Sequence, residues 1–189
     1  MTTNVTALTD SELFGLLQRQ AAEAEQAFAE LYRRHQQWVY AYILKIVGRE
    51  DDAKDIFQEV FIRIARSAPT QKEVVANVAG LIMRTARNLC LNYLRDRKET
   101  IELTEFHLIA DQRGHYERDE LLGLITTALD TLDVEYREAF VMRLYHDLSY
   151  EEIAEITSTT IPTVKNRVWR AKERIKQLLA PVLSEFERL

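Results

Sequence analysis

Residues that interrupt helices or build covalent sites are scarce in this sequence. Its 189 residues include one cysteine, five glycines and three prolines. The lone Cys90 excludes an intrachain disulfide and the usual cysteine-based zinc sets. Few strong helix breakers among many Leu, Ala, Glu and Arg residues favour helices. No apolar run approaches the roughly 18 residues that cross a bilayer, and the first residues lack the basic flank and apolar stretch of a signal peptide. We therefore expect a helical, cytoplasmic protein.

Patterns that carry catalysis or bind cofactors are also missing. The four histidines form neither HxxxH nor HExxH, and the glycines form neither a P-loop nor GxGxxG. The paired acids at 51–52 and 151–152 fit the first turns of helices, where carboxylates complement the helix dipole. We expect no enzyme, no cofactor and no metal site.

The charges are unevenly distributed along the chain. The formal net charge of −5 by itself disfavours nucleic acid as a partner. However, residues 1–30 carry five acids and one base, whereas residues 163–176 carry six bases and one acid. Charges act at contact range because salt screens them within about 10 Å. A basic face can therefore bind phosphate on an acidic protein.

Hydrophobic periodicity predicts an all-α fold with two small helical bundles. Residues 98–119 lose this periodicity and turn polar, which indicates a flexible linker of about 20 residues. The predicted domains are 1–97 and 120–189, the second carrying a helix-turn-helix. Asp10 or Ser11 is the expected N-cap of the first helix. The eight predicted helices cover residues 10–19, 22–47, 51–66, 78–97, 120–131, 134–145, 149–156 and 162–179.

The last two predicted helices have the pattern of a helix-turn-helix. A short helix precedes the polar turn "TSTT", and Thr160 can cap a basic helix that has Pro162 in its first turn. An apolar stripe on that helix comprises Val164, Val168, Ala171, Ile175, Leu178 and Leu179. The opposite side carries Asn166, Trp169, Arg170 and Glu173, flanked by Lys165, Lys172 and Lys176.

Two interpretations of this basic helix are open. In a helix-turn-helix the second helix enters the major groove, where Asn can pair with adenine and flanking cations contact phosphates. The alternative is a solvated basic face on a bundle helix, with Trp169 buried against a neighbouring helix.

The stretch "LSYEEIAEITSTTIPTVKNRVWRAKERIKQLL" resembles region four of bacterial sigma factors, particularly the extracytoplasmic-function (ECF) class. The family pattern is L-S-Y-x-E-I-A-x-x-L-G-x-x-x-G-T-V-K-S-R-x-x-R-A, from which this sequence departs at Thr157, Ser158, Pro162 and Asn166. A left-handed Ser158 would cost about 1–2 kcal/mol. The resemblance implies recognition of the −35 promoter element. The candidate −35 residues are Thr163, Lys165, Asn166, Arg167, Trp169, Arg170 and Lys172.

The predicted helix over residues 51–66 has one apolar face and one mixed face. The mixed face suits either plain solvent or docking on a basic helical partner. "DDAKDIFQEVFIRI" resembles the family's D-A-E-D-x-x-Q-E-x-F segment, region 2.2, with Lys54 in place of an acid. That region docks on the clamp helices of the polymerase β′ subunit. The implied polymerase-binding residues are Asp52, Asp55, Gln58, Glu59, Phe61 and Ile62.

The predicted helix over residues 78–97 carries arginine and asparagine at helical spacing. This stripe could be the outward face of an ordinary amphipathic helix. "LIMRTARNLCLNYLRDRK" resembles the family's W-L-x-x-I-A-R-N-x-x-x-D-x-L-R segment, regions 2.3 and 2.4, with Leu81 in place of tryptophan. Those regions capture the separated −10 strand, and the loop at 67–80 is the implied base pocket. The candidate −10 residues are Arg84, Arg87, Asn88, Asn92 and Arg95.

Taken together, the resemblances imply an ECF sigma factor. Its implied partners are core RNA polymerase, through the β′ clamp helices and the β flap, promoter DNA and an anti-sigma factor. Two other classes are weighed against it. A stand-alone regulator with a sensing N-terminal bundle would bind its operator without polymerase, and a helical enzyme would turn over a substrate without it.

Overall fold

The computed structural model describes residues 4–18, 21–71, 74–102, 125 and 127–186. Side chains are described for these residues except 21, 98–102 and 181–186. The chain divides into two compact units, Met1–Asp96 and Arg97–Leu189. Across the described residues the regular elements are helices and no strand occurs. The predicted all-α class is therefore confirmed.

Among its described residues, the first unit contains four α-helices and two short 3-10 turns. Helix α2 ends before Gly48, whose φ of 78° is the left-handed conformation that glycine adopts without strain. Helix α4 continues five residues beyond its predicted end at 97, so the predicted linker begins inside this helix. Residues 103–119 of that linker lie outside the described residues. The elements are the turns Val5–Ala7 and Ala68–Thr70 and the helices α1 (Asp10–Leu16), α2 (Ala21–Val47), α3 (Glu50–Ser67) and α4 (Val78–Glu102).

Helix α1 begins at the predicted residue 10, but its N-cap is Thr9, one residue before the predicted Asp10. The Thr9 hydroxyl accepts a hydrogen bond from the Glu12 amide at 3.3 Å, and the Glu12 carboxylate accepts one from the Thr9 amide at 2.7 Å. This reciprocal arrangement is a capping box. Asp10 is already helical, and its carboxylate instead contacts Arg34 and His35 on α2. The predicted caps, Asp10 and Ser11, are therefore wrong.

The second unit contains helices α5 (Val134–Leu144), α6 (Tyr150–Thr157) and α7 (Ile161–Phe186), preceded by helical residues at 127–130. Of the predicted helix over 120–131, residues 120–124 and 126 lie outside the described residues. Helix α7 packs against both α5 and α6. It continues past its predicted end at 179 and includes Pro181, whose fixed φ is itself helical.

The apolar stripe of α7 forms the core of the second unit. Val164, Val168, Ala171 and Ile175 are buried, and the last two pack in a cluster with Leu129 and Phe140. Leu179 is partly buried against the same cluster. Leu178, predicted on this stripe, is 37% exposed and does not belong to this cluster.

Candidate nucleic-acid interface

The turn between α6 and α7 depends on a left-handed serine. Ser158 has φ 52° and ψ 46°, and its amide and that of Thr159 bond to the last carbonyls of α6. The Thr159 amide donates to the Ala154 carbonyl at 2.9 Å, the bond that closes a Schellman-type helix end. The turn therefore follows the geometry that the family pattern fills with glycine, at a steric cost of about 1–2 kcal/mol.

Thr160 sets the start of α7. Its hydroxyl accepts from the Thr163 amide at 3.3 Å and lies 2.8 Å from the Thr163 hydroxyl. Pro162 occupies the first turn, where a missing amide hydrogen costs no intrahelical bond. The predicted cap is confirmed. The Thr160 cap fixes the point at which the loop after α6 ends and α7 begins.

The indole of Trp169 lies on the outside of the second unit. Its side chain is 61% exposed, whereas Val168 beside it is buried. The interpretation with Trp169 packed into the bundle is therefore excluded. The exposed side of α7 therefore carries a large aromatic ring among its charged residues.

Cations surround this indole on the exposed side of α7. Lys165, Arg170 and Lys172 are exposed, together with Asn166. The Lys165 ammonium lies 5.5 Å from the centre of the Tyr150 ring, and the Arg143 guanidinium lies 5.3 Å from the same ring. Such cation–π contacts hold a charge over an aromatic face. Around Trp169, the exposed side of α7 thus combines positive charge, an amide and an aromatic ring.

Arg167 differs from the other predicted −35 residues. Its guanidinium donates to the Glu135 carboxylate on α5, and its side chain is only 17% exposed. Arg167 lies on the side of α7 that faces α5. Its guanidinium therefore links the two helices and is not part of the exposed face. Sequence reasoning missed Glu135 because it lies 32 residues from Arg167 and no local pattern pairs them. An open groove beside this pair is lined by Glu135, Tyr136, Pro162, Thr163, Asn166, Arg167 and Arg170.

On α3 the structure presents four of the six predicted polymerase-binding residues. Asp55 and Gln58 are exposed, and Ile62 is 41% exposed between them and the end of the helix. Glu59 is partly exposed and pairs with Arg63 at 2.7 Å. An exposed isoleucine among acids combines apolar contact with a charge pattern that fixes orientation.

Of the other two predicted residues on α3, Phe61 faces inward and Asp52 is partly covered by its partners. Phe61 is 3% exposed and packs against Phe28, Tyr32 and Phe57, with ring centroids 4.9–6.2 Å apart. Phe61 therefore supports the surface from below and is not part of it. Asp52 accepts a hydrogen bond from the Tyr93 hydroxyl at 2.6 Å, which ties α3 to α4, and it also pairs with Arg49. The helix face that the sequence pattern suggested is thus narrower in the structure.

Helix α4 presents its asparagines outward. Asn88, Asn92 and Arg95 are exposed, whereas Arg84 and Arg87 are half-buried. Ile82, Met83, Ala86 and Cys90 are buried in the core of the first unit. All five predicted −10 residues therefore belong to one helix, but the side chains of Arg84 and Arg87 are partly covered by neighbouring residues.

Asn77 caps α4 at the end of the loop that precedes it. Its side-chain oxygen accepts from the Gly80 amide at 2.7 Å. A Cβ at Gly80 would lie 2.6–2.9 Å from the Asn77 side chain, which is too close for any other residue without displacing the cap. Val74, in the same loop, is 86% exposed. Residues 72–73 of the predicted base pocket lie outside the described residues.

Two further properties bear on the class of protein. In the part of the chain that the structure describes, no three His, Cys, Asp or Glu side chains lie close enough to hold a metal ion. None of the described helices is both long enough and apolar enough to span a bilayer.

The second unit carries a helix-turn-helix whose second helix exposes cations, an amide and an indole. The first unit is a separate helical bundle. These features are those of a DNA-binding protein built from two helical units. Residues 31–100 match the family described as Sigma-70 region 2, and residues 122–175 match Sigma-70, region 4. The chain belongs to the sigma-70 family of RNA polymerase sigma factors, in its ECF group. Members of this family are transcription initiation factors.

Curated relatives extend the similarity over most of the chain. RNA polymerase sigma factor SigV of Bacillus subtilis is 33% identical over 147 residues, covering 72% of this chain and 81% of SigV. ECF RNA polymerase sigma factor SigE of Mycolicibacterium smegmatis is 31% identical over 170 residues; this chain spans 65% of its length, and 86% of this chain is matched. The sigma-H factor of Pseudomonas aeruginosa is 29% identical, covering 94% of this chain and 99% of that protein.

Two solved structures share the fold. CnrH, in complex with the cytosolic domain of CnrY, has a TM-score of 0.70 at 18% identity, over 91% of this chain and 97% of CnrH. The sigma factor RpoE, in complex with the anti-sigma factor NepR from Bartonella quintana, has a TM-score of 0.64 at 22% identity. That match covers 80% of this chain and 97% of RpoE.

Proposed function

We propose that this protein directs core RNA polymerase to a specific set of promoters. The exposed face of α7 reads the −35 duplex, and α4 with the loop before it captures the −10 strand once the duplex opens. The observation that carries the first assignment is the 61% exposed Trp169 on the cationic side of a helix-turn-helix. A ring there can cover a thymine methyl or a sugar, while the surrounding cations contact phosphates.

Each DNA-binding face alone is small, so both are needed for selectivity. Two weak sites on one chain gain affinity through effective concentration only when their targets are correctly spaced. Polymerase would enforce this spacing by binding both units, the first through the β′ clamp helices and the second through the β flap. Promoter spacing would then be part of the specificity.

Docking on polymerase is assigned to the exposed face of α3. Asp55, Gln58, Glu59 and Ile62 offer acids and an amide around one apolar side chain. Asp55→Ala should weaken association with core polymerase without changing the fold. Asp51→Ala is the matched control, because it removes an exposed acid from the first turn of the same helix. Equal losses for both variants would assign the effect to overall charge and not to this face.

Control by an anti-sigma factor is part of the proposal. The two similar solved structures are complexes of a sigma factor with a protein partner, which in one of them is named an anti-sigma factor. A partner that covers the α3 face or the α7 face would prevent the chain from binding polymerase or DNA. We place this regulation, and the chain's activity, in the cytoplasm, where polymerase acts.

The decisive experiment is reconstituted transcription. Purified protein is added to core polymerase with a library of promoter fragments, and RNA start sites are mapped. The proposal predicts new starts downstream of a shared pair of sequence elements. Trp169→Ala should remove selectivity at the upstream element while polymerase binding persists. The absence of selective initiation on every template, or operator binding by a dimer without polymerase, would favour a stand-alone regulator.

A further inference from the structure

Gln18, two residues after the end of α1, contacts the start of the loop between α3 and α4. The Gln18 side-chain amide donates hydrogen bonds to the Ala68 carbonyl at 3.0 Å and to the Gln71 carbonyl at 3.1 Å. These carbonyls lie 50 and 53 residues further along the chain, and they mark the two ends of one tight turn. One side chain therefore holds both ends of the turn at which the loop begins.

The turn itself has few other bonds. The Gln71 amide donates to the Ala68 carbonyl at 3.2 Å, and the Thr70 hydroxyl donates to the Ser67 carbonyl at 2.8 Å. Both bonds are local, and the Ala68 amide also donates to the Ile64 carbonyl, which attaches the first residue of the turn to the end of α3. The Ala68 carbonyl has two lone pairs and accepts from both Gln71 and Gln18. In the described part of the chain, the bonds from Gln18 connect this turn to the residues that follow α1.

Gln18 follows a helix that is firmly attached to the first unit. Leu13 and Phe14 are fully buried beneath α1. Asp10 contacts the Arg34 guanidinium at 2.9 Å and the His35 ring at 2.7 Å, both on α2. The helix is fixed to α2 at its start and through its apolar face, and the Gln18 amide donates to the Gly15 carbonyl at 3.3 Å, so Gln18 directly continues a fixed helix.

Arg34 also binds the residues that precede α1. Its guanidinium donates to the carbonyls of Leu8, at 2.8 Å, and Thr6, at 3.0 Å. The first 3-10 turn and helix α1 are thus both attached to α2. They precede residues 31–100, where the match to Sigma-70 region 2 lies.

We propose that Gln18 is a positioning residue for capture of the −10 strand. It holds the start of the loop that leads to the Asn77 cap and to the outward asparagines of α4. This inference rests on the proposed function, in which that loop and α4 receive the separated strand. The turn from Ala68 to Gln71 is held in place before the strand binds, so it loses less conformational entropy on binding, and loss of the Gln18 bonds should weaken binding of the strand specifically.

The test uses holoenzyme reconstituted from core polymerase and the full chain. Binding of a fluorescent single-stranded oligonucleotide that carries the −10 sequence is titrated, with a scrambled strand as reference. Gln18→Glu keeps the size of the side chain but removes both donors. It should weaken the −10 strand roughly fivefold, the order expected when such hydrogen bonds are lost. Duplex −35 binding and affinity for core polymerase should remain unchanged.

Two further variants make the outcome interpretable. Gln37→Glu introduces the same charge change at an exposed glutamine of α2 and should leave strand binding at the wild-type level. Gln18→Ala removes the donors without placing a charge beside two carbonyls, so it should repeat the loss. Gln18→Ala with wild-type strand affinity, or equal losses of −10, −35 and polymerase binding, would overturn the inference.

Failure of the inference and failure of the proposed function give different results. If wild-type holoenzyme does not prefer the −10 strand over the scrambled strand, the proposed function fails. If the wild type discriminates and both Gln18 variants discriminate equally well, the proposed function stands and Gln18 is not a positioning residue.

Discussion

Replacing Arg167 by glutamine should leave the salt dependence of promoter binding unchanged, whereas replacing Arg170 should lower it. Each phosphate contact contributes about 0.9 to the slope of log affinity against log salt. Between 50 and 200 mM salt, one such contact changes affinity by a factor of about 3.5. Arg170 is exposed on the cationic face, so Arg170→Gln should reduce the salt-dependent loss by that factor.

Arg167→Gln should act on stability instead. Its side chain is 17% exposed, but its partner Glu135 is 60% exposed and can be rehydrated when the cation is removed. The free energy of unfolding of the second unit should therefore fall by only about 0.5–1 kcal/mol, the range of a largely solvated ion pair. Urea denaturation of the full chain measures this change.

The assay is equilibrium binding of holoenzyme to duplexes that carry the −35 element, at four or more salt concentrations. Glu135→Gln is the matched variant, because it breaks the same ion pair but keeps the cation. If Arg167 only braces the helices, the slope of this variant should equal that of the wild type. A slope reduced by about 0.9 in Arg167→Gln would refute the reasoning, because it would mean that the ion pair opens and the guanidinium binds phosphate.

Three other predictions concern stability. Ser158→Gly should raise the free energy of unfolding of the second unit by about 0.5–1 kcal/mol in urea, because glycine removes the left-handed strain at some cost in entropy; an unchanged value would mean that the turn relaxes. Gly80→Ala should lower the free energy of unfolding of the first unit by about 1 kcal/mol, because the new Cβ displaces the Asn77 cap. Gly15→Ala is the control and should raise it, because a Cβ there meets nothing within 4 Å and alanine favours the helix. Similar effects at both sites would contradict the close contact at Gly80. Hydrogen bonds from Arg33 and then Arg34 lower the pKa of Glu30 from its ordinary 4.5 to about 2, so its stabilising contribution is complete above pH 4.5 and disappears as pH falls toward 2. Glu30→Gln should flatten the fall of stability in that interval, measured by thermal unfolding at a series of pH values, and an unchanged fall would assign acid lability to other carboxyl groups.

Local signals predicted the helix-turn-helix closely. The hydroxyl of Thr160, the proline after it and the spacing of Val164, Val168 and Ala171 depend on residues within a few turns of one another. Caps and helix faces are decided at that range, so their pattern in the sequence is sufficient. The exposure of Trp169 was predicted for the same reason, since the apolar stripe determines the opposite side.

Contacts between helices were less accessible. Phe61 fits the family pattern on α3, but the aromatic residues that cover it belong largely to α2. The sequence predicts Arg167 as a DNA contact, but in the structure its guanidinium is paired with Glu135 on α5. The N-cap of α1 was also difficult to predict, because the adjacent residues Thr9, Asp10 and Ser11 are all of types that cap helices. Asp10 was available to α2 only because Thr9 and Glu12 satisfied the helix start.

From the sequence alone follow the helical class, the order of the helices, and the amphipathic direction of α7, because periodicity and capping act over a few residues. The sequence also carried the family motifs, which indicated where polymerase and DNA would bind. Only the tertiary structure decided which of those residues remain exposed, and it revealed the bonds from Gln18 to a turn fifty residues away. Partners so distant in the chain are brought together by the packing of apolar faces, and no local pattern of residues specifies which polar groups then meet.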